Sequence, residues 1–325
     1  MKAIYVNRFG GPEVLEVIET TVPLIAPNQV LIQVAAVSVN FADIKARLGK
    51  YHGKGNPPFI PGLDVAGIVE SVGNSVTNVK VGDRVIAFPA NGSYSEYCVA
   101  DDKLTYVIPD NVSFDIAAAC PVVSVTSYNL LSQSANVKKG EIVAIHSASG
   151  GIGTTAIQIA KVLGAKMIIG TVGSDEKFAT AKSAGADAVL NYNTESMEQR
   201  ILELTNGQGA DVILDSIGGK IFEESLKYLA PFGRIVSFGS SLGESGVVKT
   251  NDLHKTCRSV LGYSLGTQLK ARPEALAQPV SDVLKLIENK ELKIVISKKF
   301  KLNEAAEAHK WIESRNSVGK VLLIP

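Results

Sequence analysis

The string Ser147-Ala148-Ser149-Gly150-Gly151-Ile152-Gly153 constrains the fold more than any other part of this 325-residue chain. It follows the β-branched run Ile142–His146 and opens a stretch in which Ile152, Ala156, Ile159, Ala160 and Leu163 recur at helical spacing up to Gly164, a C-cap signal. The pattern is G-x-G-x-x-G with Ala148 in the first place. Gly150 lets the backbone approach a pyrophosphate, Gly153 lets helix and strand pack closely, and the helix opening at Gly151 and Ile152 offers unpaired N–H groups to an anion. A glycine turn alone is a weak signal that also serves purely structural bends. A strand before it, a helix after it and a βαβ rhythm beyond it are the context that makes it a dinucleotide site.

That rhythm runs from about Val122. Strand-like runs at Ile142–His146, Met167–Thr171, Ala188–Leu190, Val212–Asp215, Arg234–Phe238 and Val260–Tyr263 alternate with helix-length amphipathic stretches, which predicts a doubly wound parallel sheet. Before it, short runs at Ala3–Val6, Val14–Ile18, Gln29–Val37, Gly67–Val72 and Arg84–Phe88 are broken by Gly, Pro and Asn, as in a compact antiparallel sheet or barrel. After Pro273 the pattern predicts a helix over 274–287, a strand over 293–296, a helix over 303–312 and a terminal strand over 320–324. The fold class is therefore α/β, a Rossmann sheet plus a mainly β domain. The expected organisation is a first part at 1–122, the Rossmann domain at 123–268 and a return to the first domain at 269–325, with 117–131 carrying the chain across.

Thirty-three basic residues nearly cancel 32 acidic ones, and no Lys/Arg block stands out, so no nucleic-acid partner is expected and the partner is a small molecule. No apolar run approaches the roughly 18 residues of a membrane span, and no secretory leader follows Met1, so a cytoplasmic location is expected. Cys98, Cys120 and Cys257 are odd in number and far apart, and each reads as a small buried apolar residue.

An NAD site usually places Asp or Glu at the end of its second strand to hold the ribose hydroxyls. Here that strand ends Gly170-Thr171-Val172-Gly173-Ser174, with no acid at its end. Ser174 and Lys177 suit a 2′-phosphate by hydrogen bond and charge, which points to NADP(H). Alternatively, Ser174 is a helix N-cap, with Asp175 and Glu176 as first-turn acids.

Ordered motifs then carry a resemblance over nearly the whole chain: Gly10-Gly11-Pro12-Glu13-Val14-Leu15, Val39-Asn40-Phe41-Ala42-Asp43, Pro61-Gly62-Leu63-Asp64-Val65-Ala66-Gly67, Gly82-Asp83-Arg84-Val85, Gly92-Ser93-Tyr94-Ser95-Glu96-Tyr97, the glycine turn and Gly185-Ala186-Asp187. The chain resembles the quinone oxidoreductase (zeta-crystallin-like) branch of the medium-chain dehydrogenase/reductase superfamily. The resemblance implies a GroES-like catalytic domain made from both chain ends, a Rossmann domain between them and an active site in the cleft. It implies NADPH contacts from Asn40, Asp43, Tyr51, Thr126, Gly173, Ser174, Lys177, Tyr192, Phe238, Gly239 and Ser264. It also implies a homodimer, for which the strand near Val260–Tyr263 is a candidate edge. Many members place tyrosine where Lys45 stands, so Lys45 either alters the active-site wall or is a solvated surface residue.

Zinc members of the superfamily show Gly-His-Glu where this chain has Gly62-Leu63-Asp64, and a ligand cysteine at the place of Val39 or Asn40. Leu63 cannot coordinate zinc, Asp64 alone falls short of three protein ligands, and His52, His146, His254 and His309 show no paired spacing, so no metal is expected. Without a Lewis acid, acceptors already electrophilic toward hydride are favoured. The expected activity is zinc-independent, NADPH-dependent reduction of a quinone. NADPH carries the chemistry, Tyr51 orients the substrate oxygen or donates a proton, and Asn40 and Thr126 fix the nicotinamide amide. The equal alternative is that Tyr51 packs beside Pro57 and Pro58 with no chemical role. The alternatives are an alkenal/enone reductase of the same family and a crystallin-like dinucleotide-binding protein with little turnover.

Overall fold

The structure is a computed structural model that describes residues 1–51, 56–315 and 317–325; His52 lies outside the described residues. The chain divides into two compact units, Met1–Val125 with Leu265–Lys290 and Ile294–Pro325, and Thr126–Ser264 with Glu291–Lys293. Among the described residues no helix is long and apolar enough to cross a membrane.

Unit 1 begins with the strands β1 (Lys2–Val6), β2 (Leu15–Glu19), β3 (Gln29–Val39), β4 (Val65–Val72), β5 (Arg84–Pro89) and β6 (Tyr97–Val107). The helix α1 (Phe41–Arg47) follows β3 directly. β3 is buried along most of its length because it is shared: it pairs antiparallel with both β4 and β6. The run β3–β4–β5–β6 thereby closes on itself, which removes exposed strand edges. Register shifts at Leu31/Ile32 and Val34/Ala36 bend β3 enough to allow this.

Unit 2 supplies β7 (Ile142–Ile145), β8 (Met167–Val172), β9 (Ala188–Asn191), β10 (Ala210–Asp215), β11 (Leu229–Ser237) and β12 (Ser259–Gly262). Every pairing is parallel, in the order β12-β11-β10-β7-β8-β9. β7 and β10 flank the point where strand order reverses, and ligands of such sheets bind outside the carboxyl ends of the strands there. Buried Val143, Ala144, Ile145, Ile213, Leu214 and Ile235 show why these runs lack polar alternation: both faces of the sheet are covered.

The chain then forms β13 (Ile296–Lys301) and β14 (Lys320–Ile324); β14 pairs antiparallel with β3 and parallel with β13 in the sheet of unit 1. β13 lies three residues later than the expected 293–296, because Lys298, Lys299 and Lys301 hide its alternation. It is an edge strand, where lysines are favoured since they oppose pairing with another chain. The helix expected over 274–287 is a 3-10 turn, Pro273–Leu276, running into a helix at Ala277–Glu288, and a further short helix, Leu265–Ala271, had no clear periodic signal. Cys98 and Cys120 are buried, but Cys257 is exposed, contrary to its reading as a core residue; it sits with φ 54° in the turn before β12.

Candidate active site

In unit 2 the glycine turn joins β7 to the Gly151–Val162 helix, whose N-cap, Gly150, provides no side chain to its open N–H groups. A Cβ on Gly150 would meet only the Ser147 carbonyl, at 3.4 Å, so space remains in front of the turn. At Gly153 a Cβ would press to 2.3 Å from the Ser147 oxygen and 2.6 Å from the Ala148 backbone, which is the close strand–helix contact the motif requires. The departure at Ala148 is compensated on the neighbouring strand. Its methyl faces Gly170 of β8, where an added Cβ would approach to 2.8 Å. The room given up by the missing first glycine is returned by Gly170.

At the end of β8, Gly173 lies under Tyr192, whose hydroxyl would be 2.6 Å from a Cβ at that glycine. Ser174 takes the N-cap position of the 3-10 turn Asp175–Lys177 without a side-chain capping bond, so its hydroxyl is not committed to the helix. Asp175 is drawn aside: its Oδ1 accepts from Asn191 Nδ2 at 2.7 Å. The Phe238 amide donates to the Asp215 carbonyl at 3.0 Å, and a Cβ on Gly239 would meet the Ser216 carbonyl at 3.3 Å, so this pair stands at the end of β10. Thr126 is hydrogen-bonded to the Tyr263 hydroxyl, to which Asn129 Nδ2 also donates at 3.1 Å, and Ser264 follows directly. Beneath the glycine turn, buried His146 is fixed by Thr171 Oγ1 and Ser225 Oγ, both at 2.8 Å. Burial pushes its pKa down, which suits a packing rather than an acid–base role.

In unit 1 the candidate residues lie around α1: Asn40 caps it, Asp43 stands in its first turn and Tyr51 follows its end. The Asn40 amide donates to Asp43 Oδ2 at 2.8 Å, so the acid three residues on caps the helix. The Asn40 carboxamide bridges two buried charges: its Oδ1 accepts from Lys320 Nζ at 2.6 Å and its Nδ2 donates to Asp64 Oδ1 at 3.0 Å. Asp64 also accepts from Ser38 Oγ at 2.7 Å and the Val122 amide at 3.1 Å. Burial raises the Asp64 pKa and lowers that of Lys320, and each is drawn back by the other's charge. Tyr51 is half-buried, and burial with the charge of Asp43 pushes its phenol up, which keeps it a donor at neutral pH. Lys45 is half-buried, with its Nζ 5.7 Å from the centre of the Phe41 ring; burial and the nearby Lys50 lower its pKa.

Val39 and Leu63 offer no donor and the Asp64 carboxylate is spent on protein groups, so these residues do not fit a catalytic zinc ion. Among the described residues no three His, Cys, Asp or Glu cluster as metal ligands. The turn at Gly150 and the open helix N-terminus do fit a pyrophosphate.

Sequence reasoning missed the roles of Arg47, buried at the end of α1, and of Lys320, Tyr94 and His309, buried beside it. Their partners are remote in sequence, so no local spacing announces them. Tyr94 Oη lies 3.2 Å from Asp43 Oδ2 and 3.1 Å from His309 Nε2, and Arg47 Nη1 lies 3.3 Å from His309 Nδ1. Burial first, then the Arg47 charge, pushes the His309 pKa down to about 3. An unfolded histidine titrates near 6.5, so below that pH the unfolded chain takes the proton first and stability falls by about 1.4 kcal/mol per pH unit. This contribution is complete above pH ~6.5 and is lost toward the folded value of about 3. Urea unfolding at pH 7 and pH 5 is expected to show a loss of about 2 kcal/mol from this residue, absent in His309→Gln.

Residues 26–110 match the family model described as alcohol dehydrogenase GroES-like domain, and residues 151–285 that described as zinc-binding dehydrogenase. The quinone oxidoreductase of Pseudomonas aeruginosa is 37% identical over 331 residues, covering 100% of this chain and 99% of that protein. The solved structure of Escherichia coli quinone oxidoreductase complexed with NADPH superposes with a TM-score of 0.94 at 35% identity and covers 100% of both chains. That of Pseudomonas syringae quinone oxidoreductase gives 0.93 at 36%, covering 100% of this chain and 99% of the other. With relatives of one kind matching end to end in sequence and in backbone, the chain belongs to the quinone oxidoreductase branch of the medium-chain dehydrogenase/reductases.

Proposed function

We propose that the protein is an NADPH-dependent quinone oxidoreductase that works without zinc. The carrying observation is the second strand of unit 2. It ends in a glycine under Tyr192, then a serine free of capping duty and Lys177, while the nearest acid, Asp175, is held by Asn191. That arrangement suits a 2′-phosphate better than bare ribose hydroxyls. The Escherichia coli relative complexed with NADPH supports the same reading.

When bound, NADPH supplies a hydride. The balanced reaction adds that hydride and one proton to the quinone, giving a hydroquinone and NADP⁺. The Gly150–Gly153 turn holds the pyrophosphate, Ser174, Lys177 and Tyr192 the adenosine end, and Thr126, Phe238, Gly239 and Ser264 the remainder of the cofactor. Asn40 and Asp43 form the rigid start of α1, and Tyr51, kept protonated by burial and Asp43, offers its O–H to the acceptor oxygen. Delocalisation of the developing charge in the ring takes the place of a Lewis acid.

The test is oxidation of NADPH and of NADH with ortho-quinones and with 2-alkenals. Quinone reduction with preference for NADPH is the expected result. Preference for alkenals would move the protein to enone reduction, and tight NADPH binding with neither turnover would make it a binding protein. Tyr51→Phe is expected to cut quinone turnover about tenfold or more, within the usual range for a general acid, with NADPH affinity unchanged. Unchanged turnover would reduce Tyr51 to a packing residue. A homodimer joined along β12 accords with this strand pairing, among the described residues, with β11 alone. A cytoplasmic setting accords with three free cysteines, two of them buried and far apart in sequence.

A further inference from the structure

A line of buried side chains runs from α1 to the Ala305–Glu313 helix, and its hydrogen bonds can point only one way. Arginine has no acceptor, so Arg47 Nη1 must donate to His309 Nδ1. That places the imidazole proton on Nε2, which donates to Tyr94 Oη. The Tyr94 O–H is then left to donate to Asp43 Oδ2, the same oxygen that receives the Asn40 amide at the start of α1. Arg47 is anchored at its far side by Glu313 through both carboxylate oxygens. The His309 and Tyr94 rings meet edge to face, with centroids 5.8 Å apart, so neither can turn without the other.

We propose that Tyr94 and His309 are positioning residues for the reaction: the directed chain Arg47–His309–Tyr94 fixes the Asp43 carboxylate and, through it, the turn of α1 that carries Asn40 and leads to Tyr51. Neither touches substrate or cofactor. The chain keeps its direction over the neutral pH range, because burial and Asp43 hold the Tyr94 phenol protonated while burial and Arg47 hold His309 neutral. A neutral histidine with one fixed tautomer is what the link needs, since an imidazolium would face the Arg47 guanidinium with no acceptor. The proposal rests on reading Asn40, Asp43 and Tyr51 as the group that orients the acceptor.

Tyr94→Phe removes one hydroxyl and little volume. Its expected effects are about tenfold lower kcat, the size of one lost charge-assisted hydrogen bond, with NADPH Kd within about twofold of the parent. Amide exchange in α1 should quicken about tenfold while exchange in unit 2 does not change. His309→Gln is the conservative partner, because a carboxamide accepts from Arg47 and donates to Tyr94; it should keep kcat within about threefold. His309→Leu should fall as Tyr94→Phe does. Should His309→Leu fail to fold, Tyr94→Phe against His309→Gln decides. A Tyr94→Phe protein with parental kcat overturns the proposal, whether α1 exchanges faster or not, as does a kcat loss that His309→Gln shares in full. Unchanged turnover in Tyr51→Phe would instead overturn the orienting role of Tyr51, while the α1 exchange result would still report whether the chain holds the helix.

Discussion

A Gly153→Val protein is expected to lose at least about 3 kcal/mol of stability, because the new side chain meets backbone rather than yielding side chains. The Ser147 oxygen and the Ala148 main chain stand at 2.3 and 2.6 Å from the would-be Cβ, so the helix must slide off β7 or the turn must open. Gly150→Ala makes the informative contrast. Its φ of −76° is open to alanine, and the nearest atom to the new methyl is 3.4 Å away, so the free protein should keep its melting temperature. The methyl fills the space through which a pyrophosphate reaches the backbone, and NADPH affinity should drop by about one to two orders of magnitude, comparable to losing one or two anion-directed hydrogen bonds. Thermal unfolding with and without NADPH measures both: the first variant melts early in either condition, and the second melts normally but gains little from ligand. A Gly150→Ala protein that binds NADPH as the parent does would remove the phosphate from this turn.

Lys320→Met should be the most damaging single change in unit 1. The ammonium is buried, donates to the Val39 carbonyl and Asn40 Oδ1, and balances Asp64 across the Asn40 carboxamide. Stripping one member from a buried charged pair costs about 3–5 kcal/mol, because the other charge is left in the interior. The sign of the pH response identifies the cause. Burial already raises the Asp64 pKa, and without Lys320 it must rise further. A carboxyl with a folded pKa above its unfolded value takes up a proton on folding, so the variant should gain stability relative to the parent as pH falls through that folded value. Adding Asp64→Asn to Lys320→Met should recover more than half of the loss, as read by urea unfolding at neutral pH. Equal damage in single and double variants would mean that the loss is one of packing alone.

The parts of this molecule that could be read from its residues are those written in local periodicity. The Ile142–His146 run, the glycine turn and the spacing of Ile152, Ala156, Ile159 and Leu163 lie within about twenty residues of one another, and each has its own rule of twist, turn or helical face. The parallel, doubly wound sheet followed from repetition of that unit. Unit 1 was legible only as short β runs, because the sharing of β3 by β4, β6 and β14 is a property of register and bulges. The candidate site divided in the same way. The residues proposed to hold the cofactor sit in or beside local motifs, whereas the groups that hold Asn40 and Asp43 come from β14 and the Ala305–Glu313 helix. His309 offered only the lack of a paired spacing, since nothing near it in sequence says that Arg47 and Tyr94 will stand on either side. The lysines of β13 misled for the opposite reason: an edge strand carries charge where a strand rule looks for alternation.

The pairing of β3 with β14 also bears on how the chain is made. Lys320 and Asn40 are 280 residues apart in sequence, and between them lies all of unit 2. During synthesis, β3 to β6 emerge early but wait for their last neighbour, while the Rossmann sheet can assemble as soon as its own contiguous stretch is out. Until β14 docks, Asp64 has no ammonium to face and the carboxyl end of β3, Val37–Val39, keeps one edge unpaired, a state prone to strand-mediated association. Closing so long a loop is slow. The partly paired β unit is therefore the stretch most exposed to association while the chain is being made, and the last residues of the chain end that interval.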